Sequence, residues 1–341
     1  MIAQIAENSL LVMLVKLVDR IPVPPPPAKQ ERRGRGRPNF YSDRLFLKAL
    51  VIMILKHLHT PYELFCVLQE ATPEMQALRP LLTEGGRYPS RRTWERRLHA
   101  LPNKLPAQIG CLGCHLVALI QPWATCGRAV AADSTVLRAR GVVWHKKYRD
   151  VGEVPHTQID TEAHWTQSGW HGWVYGWKLH LITVVGDVWI PLAAQLTPAN
   201  HDDGAEAEKL VQQVPLPTEI RYLLGDQHYN TPQLRRVCAL KGWFVIATHR
   251  GNRPPDDVGI PVRRVFHKLR SVAIENFNGH FKTIFGGRAK AQVPTRGLTA
   301  TRRFALGAVF VYQLALLYRF EHDGVRGSQL NVGLKPFLKA A

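Results

Sequence analysis

Residues 174–196 read VYGWKLHLITVVGDVWIPLAAQL, and this stretch decides the fold. Its β-branched and aromatic content predicts two strands, over residues 174–185 and 188–196. Gly186-Asp187 between them is a hairpin turn signal. Working outward, Arg128-Ala-Val-Ala-Ala-Asp133 upstream reads as a strand that ends on an aspartate. Downstream come a helix over 205–213, a strand over 220–224 ended by Gly225-Asp226, a helix over 231–240, and a strand over 243–248. Helices over 271–284 and 302–320 follow. Three strands that meander, then strands separated by helices, predict an α/β fold: a mixed five-stranded sheet with helices on its faces.

The first third reads differently. Residues 1–20 predict a short amphipathic helix, and Pro22-Val-Pro-Pro-Pro-Pro27 a stiff linker. The run Arg32, Arg33, Arg35 and Arg37, interleaved with glycine, is either a solvated segment or a DNA-contacting arm. Ser42 or Asp43 can cap a helix whose apolar residues recur every three to four positions. A second helix follows Pro61, and a third is capped by Ser90 and carries Arg91, Arg92, Arg96 and Arg97. The three form either a helix-turn-helix-like unit with a basic recognition helix or an exposed charged helix on its supports. Residues 304–320 are apolar, but too short for a membrane span and interrupted by Gln313, so they predict a buried helix. The apolar run at 9–15 lacks the flanks of a signal peptide.

Charge narrows the function. The 341 residues hold 45 Lys plus Arg against 26 Asp plus Glu, a net +19. A hydrophobic fraction of 45% excludes wholesale disorder. The excess charge implies a polyanionic partner, nucleic acid or an anionic membrane; without a spanning segment it points to nucleic acid. Residues 1–132 carry a net +9 and residues 133–341 a net +10, so the charge is not confined to one module. Five cysteines, an odd number, fit a reducing compartment. Cys111 and Cys114 form an isolated CxxC, read as helix packing rather than a metal or redox site.

Against this background the carboxylates stand out. Asp133 and Asp226 each end an apolar strand, at the rim where open α/β sheets place ligands; alternatively each is a turn or cap residue. Glu275 is the sole acidic residue between 263 and 319, among eleven basic ones, and Lys282 lies two helical turns further on the same face. Three such carboxylates could hold two Mg²⁺ ions and serve an in-line phosphoryl displacement. Asp202 and Asp203 read as loop residues outside that set. The Trp- and His-rich stretch 144–177 is either a loop packed by its own aromatics or a surface that stacks on unpaired bases.

Taken together, Ala132-Asp-Ser-Thr135, Tyr175-Gly-Trp-Lys-Leu-His180, Thr197-Pro-Ala-Asn-His-Asp202, Gly225-Asp-Gln-His-Tyr229 and Ile274-Glu-Asn-Phe with Lys282 resemble the DDE transposases of bacterial insertion sequences, in the groups numbered four and five. The resemblance covers residues 128–320. Gly-Arg-Gly-Arg-Pro38 and Ser90-Arg-Arg-Thr-Trp94 also resemble the helical DNA-binding portion of such proteins. It implies a ribonuclease-H-like catalytic domain over 128–320, preceded by an N-terminal helix and Pro-rich linker (1–28) and an all-α helix-turn-helix-like DNA-binding region (29–127), with a tail at 321–341. It implies Asp133, Asp226 and Glu275 as catalytic and metal-binding residues, with Mg²⁺, or Mn²⁺ in its place. Lys282, Tyr229 and Arg270 would contact DNA, as would Arg91, Arg92, Arg96, Arg97, Arg35 and Arg37 of the helical region. Arg270 stands five positions before the glutamate where relatives have arginine four before, and Asn276 replaces a common arginine.

The implied function is cleavage at transposon ends and strand transfer into target DNA, by a homodimer in a synaptic complex on double-stranded inverted repeats. The implied location is cytoplasmic and nucleoid-associated, with no membrane partner. A metal-dependent nuclease without strand transfer and a decayed, non-catalytic DNA-binding protein are the alternatives. If the basic helix neutralises phosphates, Arg91→Ala and Arg96→Ala should each reduce the slope of log affinity against log salt by about 1. Anisotropy titrations of duplex DNA over a salt series measure that slope.

Overall fold

The computed structural model describes residues 9–25, 40–169, 172–215, 219–248, 260–285 and 292–331, together with Leu334. Arg35 and Arg37 lie outside the described residues. The sheet is organised around its longest strand, β3 (Gly172–Val185). One edge of β3 runs antiparallel to β1 (Ala129–Arg138), from Ala129 opposite Val185 to Arg138 opposite Gly176. The other edge is shared. β2 (His164–Ser168) pairs with its first five residues and β4 (Pro191–Pro198) with the stretch from Trp177 onward. β1 then pairs in parallel with β5 (Tyr222–Gly225), and β5 in parallel with β6 (Phe244–Ala247).

The sheet therefore has six strands, not five. The additional strand, β2, reads HWTQS, which is polar and only half-buried, so it shows no apolar alternation in sequence. A second correction concerns β1. It does not end on Asp133 but continues to Arg138, because β3 offers it hydrogen-bonding partners over its full length.

Of the N-terminal helices, α1 (Leu10–Leu17) is buried on most of its circumference rather than amphipathic. Then come α2 (Asp43–Leu55), α3 (Pro61–Gln69), α4 (Pro73–Leu81), α5 (Arg91–Ala100) and α6 (Leu105–Ile120). The side chains of Ser42, Thr60, Thr72 and Ser90 accept hydrogen bonds from the first turns of α2 to α5, satisfying N–H groups that have no partner within the helix. The sequence reading placed α2, α3 and α5 but neither α4, which has Pro80 inside it, nor α6. After the single turn α7 (Lys146–Arg149), the sheet region carries α8 (Asp203–Gln213), α9 (Pro232–Leu240), α10 (Ile260–Ile284) and α11 (Leu298–Glu321).

α11 is the pillar of the molecule. By length and composition it could cross a membrane, yet 78% of its apolar window is buried inside the protein. It packs against α1, α2, α5, α6, α10 and β4. A Cβ on Gly307 would stand 3.0 Å from side-chain atoms of Leu50 and Ile54, so the glycine sets the close approach to α2. Gln313, fully buried, donates to the carbonyls of Ile109 in α6 (2.9 Å) and Pro191 in β4 (2.8 Å), joining three elements by one amide. The helix start is capped from far away in sequence. The Gly297 N–H donates to Asp160 (2.8 Å) and the Leu298 N–H to Glu162 (2.9 Å), placing two carboxylates at its positive end.

Side chains from α1 to α6 and from the sheet belong to one contiguous hydrophobic core. Gln313→Ala removes both hydrogen bonds and opens a cavity at that junction, so it should cost about 3 kcal/mol of stability. Urea unfolding of the variant against the parent measures the loss.

Candidate active site

The β1–β5 register creates the site. These strands pair in parallel from Ala129 opposite Tyr222 to Ala131 opposite Leu224. Two residues further along the chain from that last pair are Asp133, still within β1, and Asp226, one residue past the end of β5. Adjacent strands lie about 4.8 Å apart, so continuing the register sets the two carboxylates side by side. β5 stops at Gly225 and the chain turns away, while β1 continues along β3. The aspartates thus flank the crevice where two parallel strands separate, beyond the carboxyl end of β5.

The turn after β5 is held tightly. Asp226 accepts from the His228 N–H (2.8 Å), and the buried Tyr229 closes back over the strand end. A Cβ on Gly225 would lie 2.5 Å from that of Tyr229, so only glycine permits this closure. Arg235 of α9 donates to Asn230 from Nε (3.1 Å) and Nη2 (2.9 Å), buttressing the turn from below.

The electrostatics follow from burial among like charges. The Asp133 side chain is 24% exposed. Burial pushes its acid up to about 6, the neighbouring Asp226 and Asp203 add to the rise, and Arg270 opposes it. Arg270 Nη1 approaches Asp133 Oδ1 at 3.7 Å, while its buried Nε has no hydrogen-bond partner among the described residues. Burial first, then Asp133, Asp203 and Asp226, hold the Tyr229 phenol neutral far above its usual range.

Of the residues singled out in sequence, Asp133, Asp226, Tyr229 and Arg270 therefore come together. Glu275 does not join them. Its side chain is exposed, as is that of Lys282 two turns on, so both occupy the solvent side of α10. Arg270 and Glu275 are five residues apart, roughly 140° around a helix at 3.6 residues per turn. With Arg270 against Asp133, Glu275 faces elsewhere. Among the described residues no group of three or more His, Cys, Asp or Glu stands ready to hold a metal ion. The donor chemistry in place, adjacent carboxylate oxygens in a partly buried crevice, suits hard divalent cations.

On α5, Arg91 is paired with Glu95 (2.8 Å) and lies over the Tyr62 ring. Arg97 is largely buried against Phe46 and bridges to Asp43 (2.7 Å), a structural ion pair. Arg92 and Arg96 are exposed. Cys111 and Cys114 are half-buried on α6, and burial pushes the Cys114 thiol up to about 11. In the Trp-rich stretch, Trp165 donates to the Trp144 carbonyl and Trp144 to that of Glu153, both at 2.8 Å. That part of it is packed by its own aromatics; Trp173 remains exposed.

In sequence Asp203 reads as a loop residue outside the carboxylate set; the structure brings it in. Asp203 opens α8, accepts from Lys178 Nζ with both oxygens (3.2 Å), and acts on both Asp133 and Tyr229. His180, buried and pushed down to about 4 by desolvation, is a neutral neighbour bonded through Nε2 to Thr197 Oγ1 (2.9 Å). The signal in sequence is the alternation of Lys178 and His180 on one face of β3: polar side chains inside a buried strand need partners, and the Asn200-His201-Asp202-Asp203 segment supplies one.

Comparison with known proteins adds a family. The family described as Transposase DDE domain matches residues 124–314. No curated protein matches the sequence. Among solved structures, a piggyBac transposase synaptic complex with hairpin DNA is similar at 10% identity, covering 91% of this chain and 74% of that one with a TM-score of 0.34. A Drosophila P element transposase strand transfer complex is similar at 12% identity, covering 90% and 65% with a TM-score of 0.21.

The raised Asp133 acid has a sign that can be measured. The unfolded chain releases this proton near pH 4 and the folded chain near 6. Between those values the folded state loses stability as pH rises. Relative to Asp133→Asn, which does not titrate there, metal-free wild type should lose about 2 kcal/mol between pH 4 and pH 7. Paired unfolding curves at both pH values test this.

Proposed function

Because this chain belongs to the transposase DDE domain family, the match covering more than half of its length, we propose that it is a DNA transposase that cuts at the ends of its element and joins them to target DNA. The observation that carries the reading is the register that sets Asp133 beside Asp226 at the separation of β1 and β5. The strand order, with β1 flanked by an antiparallel and a parallel neighbour, is also that expected of a ribonuclease-H-like catalytic domain. The helices before it, with exposed Arg92 and Arg96 on α5, support a helix-turn-helix-like DNA-binding role.

Asp133, Asp226 and Glu275 would hold Mg²⁺ or Mn²⁺. Such ions, when bound, stabilise the charge that develops on the attacking and leaving oxygens of a phosphodiester. The chain's own groups do the rest. Asp133 must give up its raised proton before it can act as a ligand, so a cation and a proton compete for it. Arg270 meanwhile neutralises Asp133 and is positioned to hold a phosphate once the carboxylate is otherwise engaged. Glu275 and Lys282 are exposed on α10 and accessible to DNA. Tyr229 packs the crevice floor and keeps Asp226 in place. Synapsis of two ends requires a homodimer on double-stranded DNA, working at the nucleoid.

One observation favours a second reading, a DNA-binding protein without cleavage: the exposed Glu275 outside the aspartate pair. A single experiment separates the two. A supercoiled plasmid bearing the DNA that flanks the coding sequence is incubated with the chain and Mg²⁺. Cleavage and joining that fall by at least about 10²–10³-fold in Asp226→Asn support the transposase. Cutting without joining identifies a nuclease, and binding without either identifies the non-catalytic protein.

A further inference from the structure

A cavity of about 130 Å³ lies just past the C-terminal end of β1, the strand that carries Asp133 at its middle. His57, His59, Arg140, Phe285, Gln292 and Pro294 line it, and among the described residues its ionisable lining groups are all basic. Glu63, bonded to the same segment, is taken up by the His59 backbone N–H (2.7 Å). The wall is rigid. Arg140 Nη1 donates to the Pro294 carbonyl (2.7 Å), Gln292 Nε2 to that of Ala139 (3.2 Å), and the Val293 N–H to that of Arg138 (2.8 Å). The bond to Pro294 uses one of the five N–H donors on an exposed guanidinium whose orientation it fixes.

A second, independent observation falls on His57. It has φ 52°, the left-handed region, and is the only non-glycine residue there among the described residues. The reason is the end of α2. The Leu58 N–H bonds the Met53 carbonyl (2.8 Å) and the His57 N–H that of Ile54 (3.2 Å), a closing turn whose left-handed position favours glycine. That turn sets the exposed His57 side chain at the wall of the cavity.

We propose that this cavity binds a backbone phosphate of the DNA strand that runs to the Asp133–Asp226 crevice, an inference that rests on the DNA-processing reading above. β1 provides the ruler. From Asp133 to Arg138 is five residues, roughly 17 Å at the rise of a strand. For a duplex lying along β1, with a phosphate about every 3.4 Å of axis on each strand, that span corresponds to about five nucleotides. Arg140 supplies planar donors suited to phosphate oxygens, and the exposed His57 imidazole adds an N–H donor at the rim. The contact reads no sequence; it fixes how far the DNA end is fed into the crevice.

The test uses the full chain, a labelled duplex of random sequence, and anisotropy titrations between about 50 and 200 mM salt, with His57→Gly and Arg140→Ala variants. Each variant should bind about 3- to 10-fold more weakly at low salt and lose about 1 from the slope of log affinity against log salt. His57→Gly should also raise Tm, because glycine relieves the left-handed position, so its weaker binding cannot come from unfolding. Unchanged affinity and slope in both variants overturn the site while leaving the DNA-processing reading intact. A parent chain that binds no duplex overturns both. Stabilisation by inorganic phosphate that is lost in Arg140→Ala, with duplex binding unaltered, overturns the DNA assignment in favour of a free-anion site.

Discussion

The unequal pairing of β1 is the constraint on which the rest of the structure depends. On one side β1 is paired with β3 along its whole length; on the other it is paired with β5 for only three residues. Where β5 leaves, backbone hydrogen-bonding capacity and side-chain space open on one edge of a strand held rigidly by the other. The chain fills that opening with Asp133, Asp226 and the closing Tyr229, and packs Arg270 of α10 against it. A rigid strand with one free edge is a good support for charged groups that must keep their separation, because the backbone cannot relax to relieve their repulsion. The Asp133 acid is raised first by its burial there and further by Asp226 and Asp203.

Rigidity at β1 is secured from behind by α11. A helix buried on nearly every side has no solvent face to orient it, so polar contacts must do so. Gln313 fixes it against α6 and β4, Asp160 and Glu162 fix its start, and Arg303 reaches the carbonyls of Leu98 (3.4 Å) and His59 (3.2 Å). The same helix therefore ties the N-terminal helices to the sheet. His57, His59 and Arg140, which come from the two parts, meet in one cavity because of that tie.

Much of the fold was legible locally. Strands β1, β3 and β4 announce themselves through β-branched runs, α2, α3 and α5 through Ser or Thr caps before apolar repeats, and the charge excess through composition. Elements without such signals were missed for physical reasons. β2 is polar and is a strand only because β3 offers it an edge, and α6 carries Gly110 and Gly113, poor helix formers that are there because β4 comes close. A Cβ on Gly110 would stand 3.2 Å from the Leu192 carbonyl.

For the site, the sequence by itself determined the chemistry: Asp133 and Asp226 at strand–turn junctions, Glu275 alone in a basic helix, and a surface charged for a polyanion. These are properties of residue type and chain neighbours. Only the tertiary structure decided which of them meet. The β1–β5 register brought the two aspartates together, the 140° between Arg270 and Glu275 put the arginine rather than the glutamate against Asp133, and the pairing of Lys178 drew Asp203 to the crevice. Register and helix rotation depend on contacts between distant segments, and neither is written in any local stretch of the chain.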